Sequence, residues 1–161
     1  MLASIEAGTL QHASMPGADL EGADLAGVNL MGSDLRAARL NESILAHANL
    51  SYSDLTGAQM RGADLSKANL TTAEMTLVDL KQANLCSANL FGADLYGANL
   101  EDAVLDDAWL GGADLQDASL DGASLLNTKY DTETRWPDRF QPEFQGAVLV
   151  DRSVVRFRRR R

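Results

Sequence analysis

The chain has 161 residues and a formal net charge of −9, with 45% apolar residues but only 6% aromatic ones. That length suits one domain or one elongated repeat stack and excludes two ordinary domains. The negative charge argues against nucleic acid or an anionic membrane as a direct partner. With Cys86 as its single cysteine, the chain has neither a disulfide framework nor a Cys-rich zinc site, and His12 and His47 leave little material for a His-based metal or catalytic centre. No cofactor and no metal are expected. The opening MLASIEAGTL lacks a basic segment followed by an apolar run, and no stretch approaches a membrane span. The expected compartment is the cytoplasm.

From the N-terminus to Leu126 the chain keeps a five-residue period. The 25 positions at multiples of five, from Ile5 to Leu125, hold 21 Leu, the exceptions being Ile5, Met15, Met60 and Met75. Two residues before each stands a small residue, Ala in 19 of the 25 cases. On an α-helix five residues advance about 500°, so successive leucines would spiral around every face. On a flat strand five is odd, so they would alternate between the two faces. All leucines point inward only if the chain turns a corner in every unit. Glycine agrees: 10 of the 13 fall two residues after the apolar position, where a turn with positive φ wants them. The pattern predicts a solenoid.

Ladders within the sequence set the coil length. Just before each Leu, Asn29, Asn49, Asn69 and Asn89 recur every 20 residues, and so do Asp34, Asp54, Glu74, Asp94 and Asp114. A spacing of 15 gives no such run, passing from Asn29 through Ile44 and Gln59 to Glu74. Four units per coil are therefore predicted, an all-β, four-sided β-helix of about six coils and roughly 30 Å. The repeat Ala, Asp or Asn, Leu and two variable residues, seen in GADLEGADL, KANL and GADLYGANL, resembles the pentapeptide repeat family. The resemblance covers residues 3–126 without a break. It implies a right-handed quadrilateral β-helix. The following YDTETRWPDRFQPEFQGAVLV is similar to the segment after the Leu-rich repeats of many cyanobacterial members, some of which influence cell differentiation.

Three regions are expected: the β-helix at 1–126, a C-terminal capping segment at 127–150 and a basic tail at 151–161. In the capping segment the period breaks, Tyr130, Trp136, Phe140 and Phe144 appear, and Pro137 and Pro142 disfavour a regular strand or a long helix. Nothing comparable precedes residue 3, and a bare coil end is an apolar strand edge that invites a head-to-head homodimer. Charge divides along the chain: residues 1–125 carry 18 acidic and 5 basic residues, and residues 126–161 carry 5 acidic and 9 basic. The closing RFRRRR is read as a mobile, solvated tail or as a contact for an acidic face.

Two outward features are candidate partner-binding sites. Asp34, Asp54, Glu74, Asp94 and Asp114 form an acidic ladder in which neighbours about 4.8 Å apart repel by roughly 1 kcal/mol. Asp at this position is also a habit of the repeat, and salt screens exposed charge. The neighbouring column holds Asn, which gains stacked amide hydrogen bonds. Retaining carboxylates forgoes that gain, which a basic partner surface or weakly bound cations would compensate. The second feature is Phe91 and Trp109, expected one coil apart on the Asn side, with Tyr96 on the adjacent side. Exposed aromatic groups of this kind are enriched at interfaces; alternatively, the C-terminal segment folds over them. Cys86 is expected to be an inert thiol, and His12 and His47 to be solvated turn residues.

No GxSxG, HExxH, Walker-type loop or CxxC occurs, and a convex rod offers no cleft for paired carboxylates. The expected function is non-enzymatic: a protein-interaction or scaffold module presenting the acidic ladder and the aromatic group to a protein partner. The resemblance implies an alternative, a DNA-mimicking regulator of a DNA-binding enzyme such as gyrase. Against it, Phe never occupies the central inward position here, and the repeat has no insertion. A purely structural spacer is the third reading.

Overall fold

The computed structural model describes residues 10–150. The N-terminal coil end and the Arg-rich run at 151–161 therefore lie outside the described residues.

Each five-residue unit is one short extended piece and one tight turn. In Leu30-Met31-Gly32-Ser33 the Ser33 N–H donates to the Leu30 carbonyl at 3.1 Å, and Gly32 has φ +64. Positive φ at the third residue alone is the signature of a type II turn. The same geometry recurs at every such corner from His12 to Asn127, with φ between 51 and 73. Glycines fill ten of these corners. The others carry side chains such as Tyr52, Thr72 and Leu77, which pay a conformational cost of about 1 kcal/mol each in this left-handed region.

Between corners the coils stack in parallel. The Leu30 N–H donates to the Asn49 carbonyl at 2.7 Å, Gly32 N–H to Ser51 at 2.9 Å, and Asn49 N–H back to Val28 at 3.0 Å. Parallel pairs such as Asn29↔Asn49, Arg39↔Gln59, Ile44↔Asp64 and Asp54↔Glu74 all join residues 20 apart. A coil is therefore four units with four sides, as the Asn and Asp ladders predict.

This pattern leaves one N–H per unit, that of the residue after Leu, without a backbone acceptor. The Asp or Asn before Leu supplies it: Oδ1 of Asp24, Asn29, Asp64 and Asn84 accepts from the N–H two residues on, at 3.0 to 3.2 Å. This bond explains why the position holds Asp or Asn so often. One exception fits the same account. Pro16, which has no N–H, follows Met15, and the residue before Met15 is Ser14.

Inside the coil the Leu column and the small-residue column are buried in one continuous core. From Leu25 to Leu115 the inward leucines and methionines are 0–1% exposed. Each contributes about 1.5 to 3 kcal/mol on burial. Of the serines that replace Ala, Ser43 and Ser53 donate their hydroxyls to the Leu40 and Leu50 carbonyls at 2.7 and 2.6 Å, and Ser33 Oγ is buried with no partner among the described residues.

The coil geometry runs past Leu126. Thr128, Lys129 and Tyr130 take the places of Ala, Asp/Asn and Leu: Lys129 pairs with Trp109, and Tyr130 is buried. Beyond it Arg135 pairs with Asp114, a separation of 21 rather than 20. The chain then leaves the sides. Trp136 meets Tyr130 edge-on at 5.5 Å and stacks on Phe140 at 5.3 Å, both packed against the core. A 3-10 helix, Pro142–Gln145, ends at Gly146 in the left-handed region. Strand β2 (Val148–Leu149) then lies parallel on β1 (Lys129–Tyr130).

Candidate interaction face

The parallel stacking places all five ladder residues in one column, continued at its ends by Ser14 and Arg135. Their carboxylates are not equivalent. Arg36 grips Asp34 with both prongs, Nε to Oδ1 at 2.8 Å and Nη2 to Oδ2 at 2.7 Å, and its Nε lies 3.5 Å from Asp54 Oδ2. These side-chain hydrogen bonds hold the Asp34 carboxyl below its usual value and raise the Arg36 guanidinium. At the other end Arg135 Nη1 donates to Asp114 Oδ2 at 3.1 Å. Asp94 accepts from the Thr76 hydroxyl at 3.1 Å, and among the described residues no ion pair reaches Glu74 or Asp94. The negative charge of the column is therefore concentrated at its centre.

On the adjacent side the Asn column behaves as its chemistry dictates: Asn49 Nδ2 donates to Asn29 Oδ1, and Asn69 Nδ2 to Asn49 Oδ1, both at 3.2 Å. Phe91 and Trp109 continue that side. They flank the same Leu column from opposite ends of their units, so their rings meet at 6.5 Å and 7° from parallel. Gly111 makes room for the indole. A Cβ there would lie 2.3 Å from Trp109 Cζ2. This glycine stands outside the corner series. The Gly92 and Gly112 corners then turn the chain from the Phe91–Trp109 side onto the Asp94–Asp114 side. A groove of about 350 Å³ opens at this bend, lined by Gly92, Asp94, Gly112, Asp114, Glu133 and Arg135. Tyr96 stands two residues beyond Asp94, 43% exposed. Its hydroxyl donates to Asp117 Oδ2 at 2.5 Å, a bond that raises its pKa.

The predicted residues divide accordingly. Asp94, Asp114, Phe91, Trp109 and Tyr96 meet around one corner, whereas Asp34 and Asp54 stand coils away, engaged by Arg36. Sequence reasoning missed Arg36 and Arg135. Arg36 belongs to a variable position, and Arg135 enters the column only through the extra residue after Tyr130. Elsewhere the repeat's basic residues also pair across coils, Arg39 with Asp19 and Glu21, Arg61 with Asp79, and Lys81 with Glu101. His12 and His47 sit exposed at corners, and Cys86 is half-buried. Among the described residues no cluster of three metal-ligating side chains occurs, and no helix is long and apolar enough to cross a membrane.

The family model described as "Pentapeptide repeats" matches the chain in eight copies, over residues 9–41, 33–71, 43–82, 64–107 and 98–129. The chain belongs to the pentapeptide repeat family. Proteins of this family fold as right-handed quadrilateral β-helices and are generally non-enzymatic structural or interaction modules. Three solved structures illustrate the likeness. HetL, a pentapeptide repeat protein involved in heterocyst differentiation regulation from the cyanobacterium Nostoc sp. strain PCC 7120, is 29% identical over 80% of this chain and 75% of its own, with a TM-score of 0.35. A second pentapeptide repeat protein from Nostoc PCC 7120 is 34% identical over 73% of this chain and 84% of its own, with a TM-score of 0.33. One from the cyanobacterium Cyanothece 51142 is 26% identical over 76% and 87%, with a TM-score of 0.45. A comparison with curated proteins finds no match.

Proposed function

We propose that this pentapeptide repeat protein is a non-enzymatic interaction module, a rod of about six coils whose acidic column and neighbouring aromatic group bind a basic surface on a protein partner. One observation carries the reading. Asn and Asp accept the backbone N–H two residues on equally well, as Asn84 and Asp64 do at 3.1 and 3.0 Å. Stacked amides also bond to one another between coils, 3.2 Å at Asn29–Asn49 and Asn49–Asn69, which stacked carboxylates do not. Apart from the exposed ion pairs of Arg36 and Arg135, the carboxylates at Asp34, Asp54, Glu74, Asp94 and Asp114 thus give the fold little that amides would not, and the charge of Glu74 and Asp94 is available for recognition. The stretch at Glu74 and Asp94, without a cation of its own among the described residues, adjoins Tyr96, Phe91 and Trp109. Aromatic surface beside charge is the composition of an interface with an aromatic centre and a polar rim.

The test is affinity capture from host lysate with the native protein and with a variant carrying Asp→Asn at 34, 54, 94 and 114 and Glu→Gln at 74. The variant keeps its backbone acceptors at the four aspartate positions and loses exposed ion pairs worth little, so its stability should stay within about 0.5 kcal/mol of the native value. A partner retained by the native protein and lost by the variant supports the reading. Identical capture by both removes the ladder from it. Should the partner be a topoisomerase or another DNA-binding enzyme, imitation of DNA becomes the better account.

A further inference from the structure

Each coil presents to the next a fixed set of backbone groups: the N–H of Leu, the N–H of the corner residue and the carbonyl of the small residue. On the side 97–100 these bonds are Gly97 N–H to Gln116, Leu100 N–H to Ser119, and Ser119 N–H to Ala98, at 2.8 to 2.9 Å. One coil further on, the C-terminal segment takes over only part of this work. Leu110 and Leu115 still donate, to Lys129 and Arg135, and Asn127 donates to Gly146. The N–H groups of Asp117, Leu120, Gly122 and Leu125 and the carbonyls of Ala118 and Ala123 find no hydrogen-bond partner among the described residues. Leu120 is 8% exposed, where the inward leucines of the preceding coils are 0–1%. Above this side lies a groove of about 390 Å³ between Leu120 and Asp121 on one wall and Pro137, Asp138, Arg139 and Phe140 on the other.

We infer that this open side, 117–120, receives an extended basic segment of a partner protein as one further parallel strand. Strand addition to an exposed edge uses backbone groups that are otherwise unpaired, and pockets for alternate side chains give specificity. The coil below fixes the register. A carbonyl of the incoming segment accepts from Asp117 N–H. Three residues later, a single residue donates to the Ala118 carbonyl and accepts from Leu120 N–H. The next side chain points inward over Leu120 and beside Phe140 and is apolar. The flanking side chains point outward, where Asp117, Asp121 and Asp138 outnumber Arg139, and are Lys or Arg. This edge adjoins the aromatic group through the Tyr96–Asp117 bond, but its backbone groups do not depend on the acidic column.

The test uses the full chain, labelled with nitrogen-15, and a fluorescent peptide alternating Arg and Val. Binding should slow amide exchange at Asp117 and Leu120 by about tenfold or more. An otherwise identical peptide N-methylated at every Arg, the residues that would donate to the Ala118 carbonyl, should bind about tenfold less well, as should a peptide with Asp in place of Arg. The Asp121→Lys, Asp138→Lys double variant should weaken binding while leaving the thermal midpoint unchanged. Equal binding of the N-methylated peptide would overturn the inference, as would unchanged exchange at Asp117 and Leu120 in the presence of the peptide. Slow exchange at those amides in the free chain would show the edge already paired, by a second copy or by the chain itself, and would also overturn it.

Discussion

The stacked coils and the segment that follows them solve the same problem by opposite means. In the coils every unit repeats one set of bonds, so burial is nearly complete from Leu25 to Leu115 and the side chains at the corners hardly matter to the core. The C-terminal segment repeats nothing. It closes the core with three rings, Tyr130, Trp136 and Phe140, held by edge-on and stacked contacts. The bond from the Tyr130 hydroxyl to Glu143 and the parallel pairing of β2 on β1 complete the closure. Regularity gives the coils redundancy, since each layer is supported from both sides. The closing segment has no second layer and depends on individual residues.

The largest effect should still come from the coils. Leu70 is fully buried between two layers, and Leu70→Ala should cost about 4 kcal/mol by chemical denaturation, because neighbouring layers cannot collapse into the cavity. In the closing segment Trp136→Ala should cost about 2 kcal/mol, the indole being only half-buried. Trp136→Phe should cost well under half of that. Trp136 Nε1 is buried with no hydrogen-bond partner among the described residues, and removing an unsatisfied donor offsets part of the lost area. Equal losses for the two substitutions would mean that shape, rather than the orphaned donor, governs this site.

A corner substitution probes the coils more gently. Thr72 holds φ 51 with a branched side chain, so Thr72→Gly should stabilise by about 1 kcal/mol in the same assay. The reverse kind of change, Gly97→Val, meets both the positive φ and a Cβ contact of 2.8 Å with Leu77 Cδ2, and it should destabilise. A further effect belongs to pH. Burial, and then the bond to Glu143, raise the Tyr130 hydroxyl from its ordinary value of 10.0 to about 12. The folded state therefore favours the neutral phenol. The resulting stabilisation is complete below pH 10 and is lost as pH climbs through about 12. A stability profile over that window should fall for the native protein, and Tyr130→Phe should flatten it.

What the sequence made legible was whatever repeats. The Leu column, the 20-residue ladders and the glycine corners all appear as periods, and the hydrogen bonds follow them. The corners that carry Tyr52, Thr72 or Leu77 were not legible as left-handed positions, because no residue preference marks them; only their phase does. Around the candidate face, the meeting of Phe91 and Trp109 could be read from their flanking the same Leu column. The two arginines that neutralise the ends of the acidic column could not. Arg36 lies at a variable position, and Arg135 lies past a one-residue slip that no period announces. Where the closing segment begins was equally hidden, since Thr128, Lys129 and Tyr130 share no letter with the repeat yet occupy its places.

Where a unit carries Asp or Asn, that side chain satisfies the one N–H that coil stacking leaves over, and the other N–H groups are met by the unit's own turn or by the adjacent coils. One consequence concerns how such a chain can change in length. Duplicating 20 residues would add a coil and leave every column in phase. Inserting a single unit of five would also preserve the core and the corners, but it would rotate everything downstream by one side. Inserted after Leu80, it would seat Asn89 above Glu74 and Asp94 above Asp79, breaking the acidic column while the rod stayed intact. Fold and surface pattern are thus encoded at two different periods of the same sequence, and evolution can alter the second without disturbing the first.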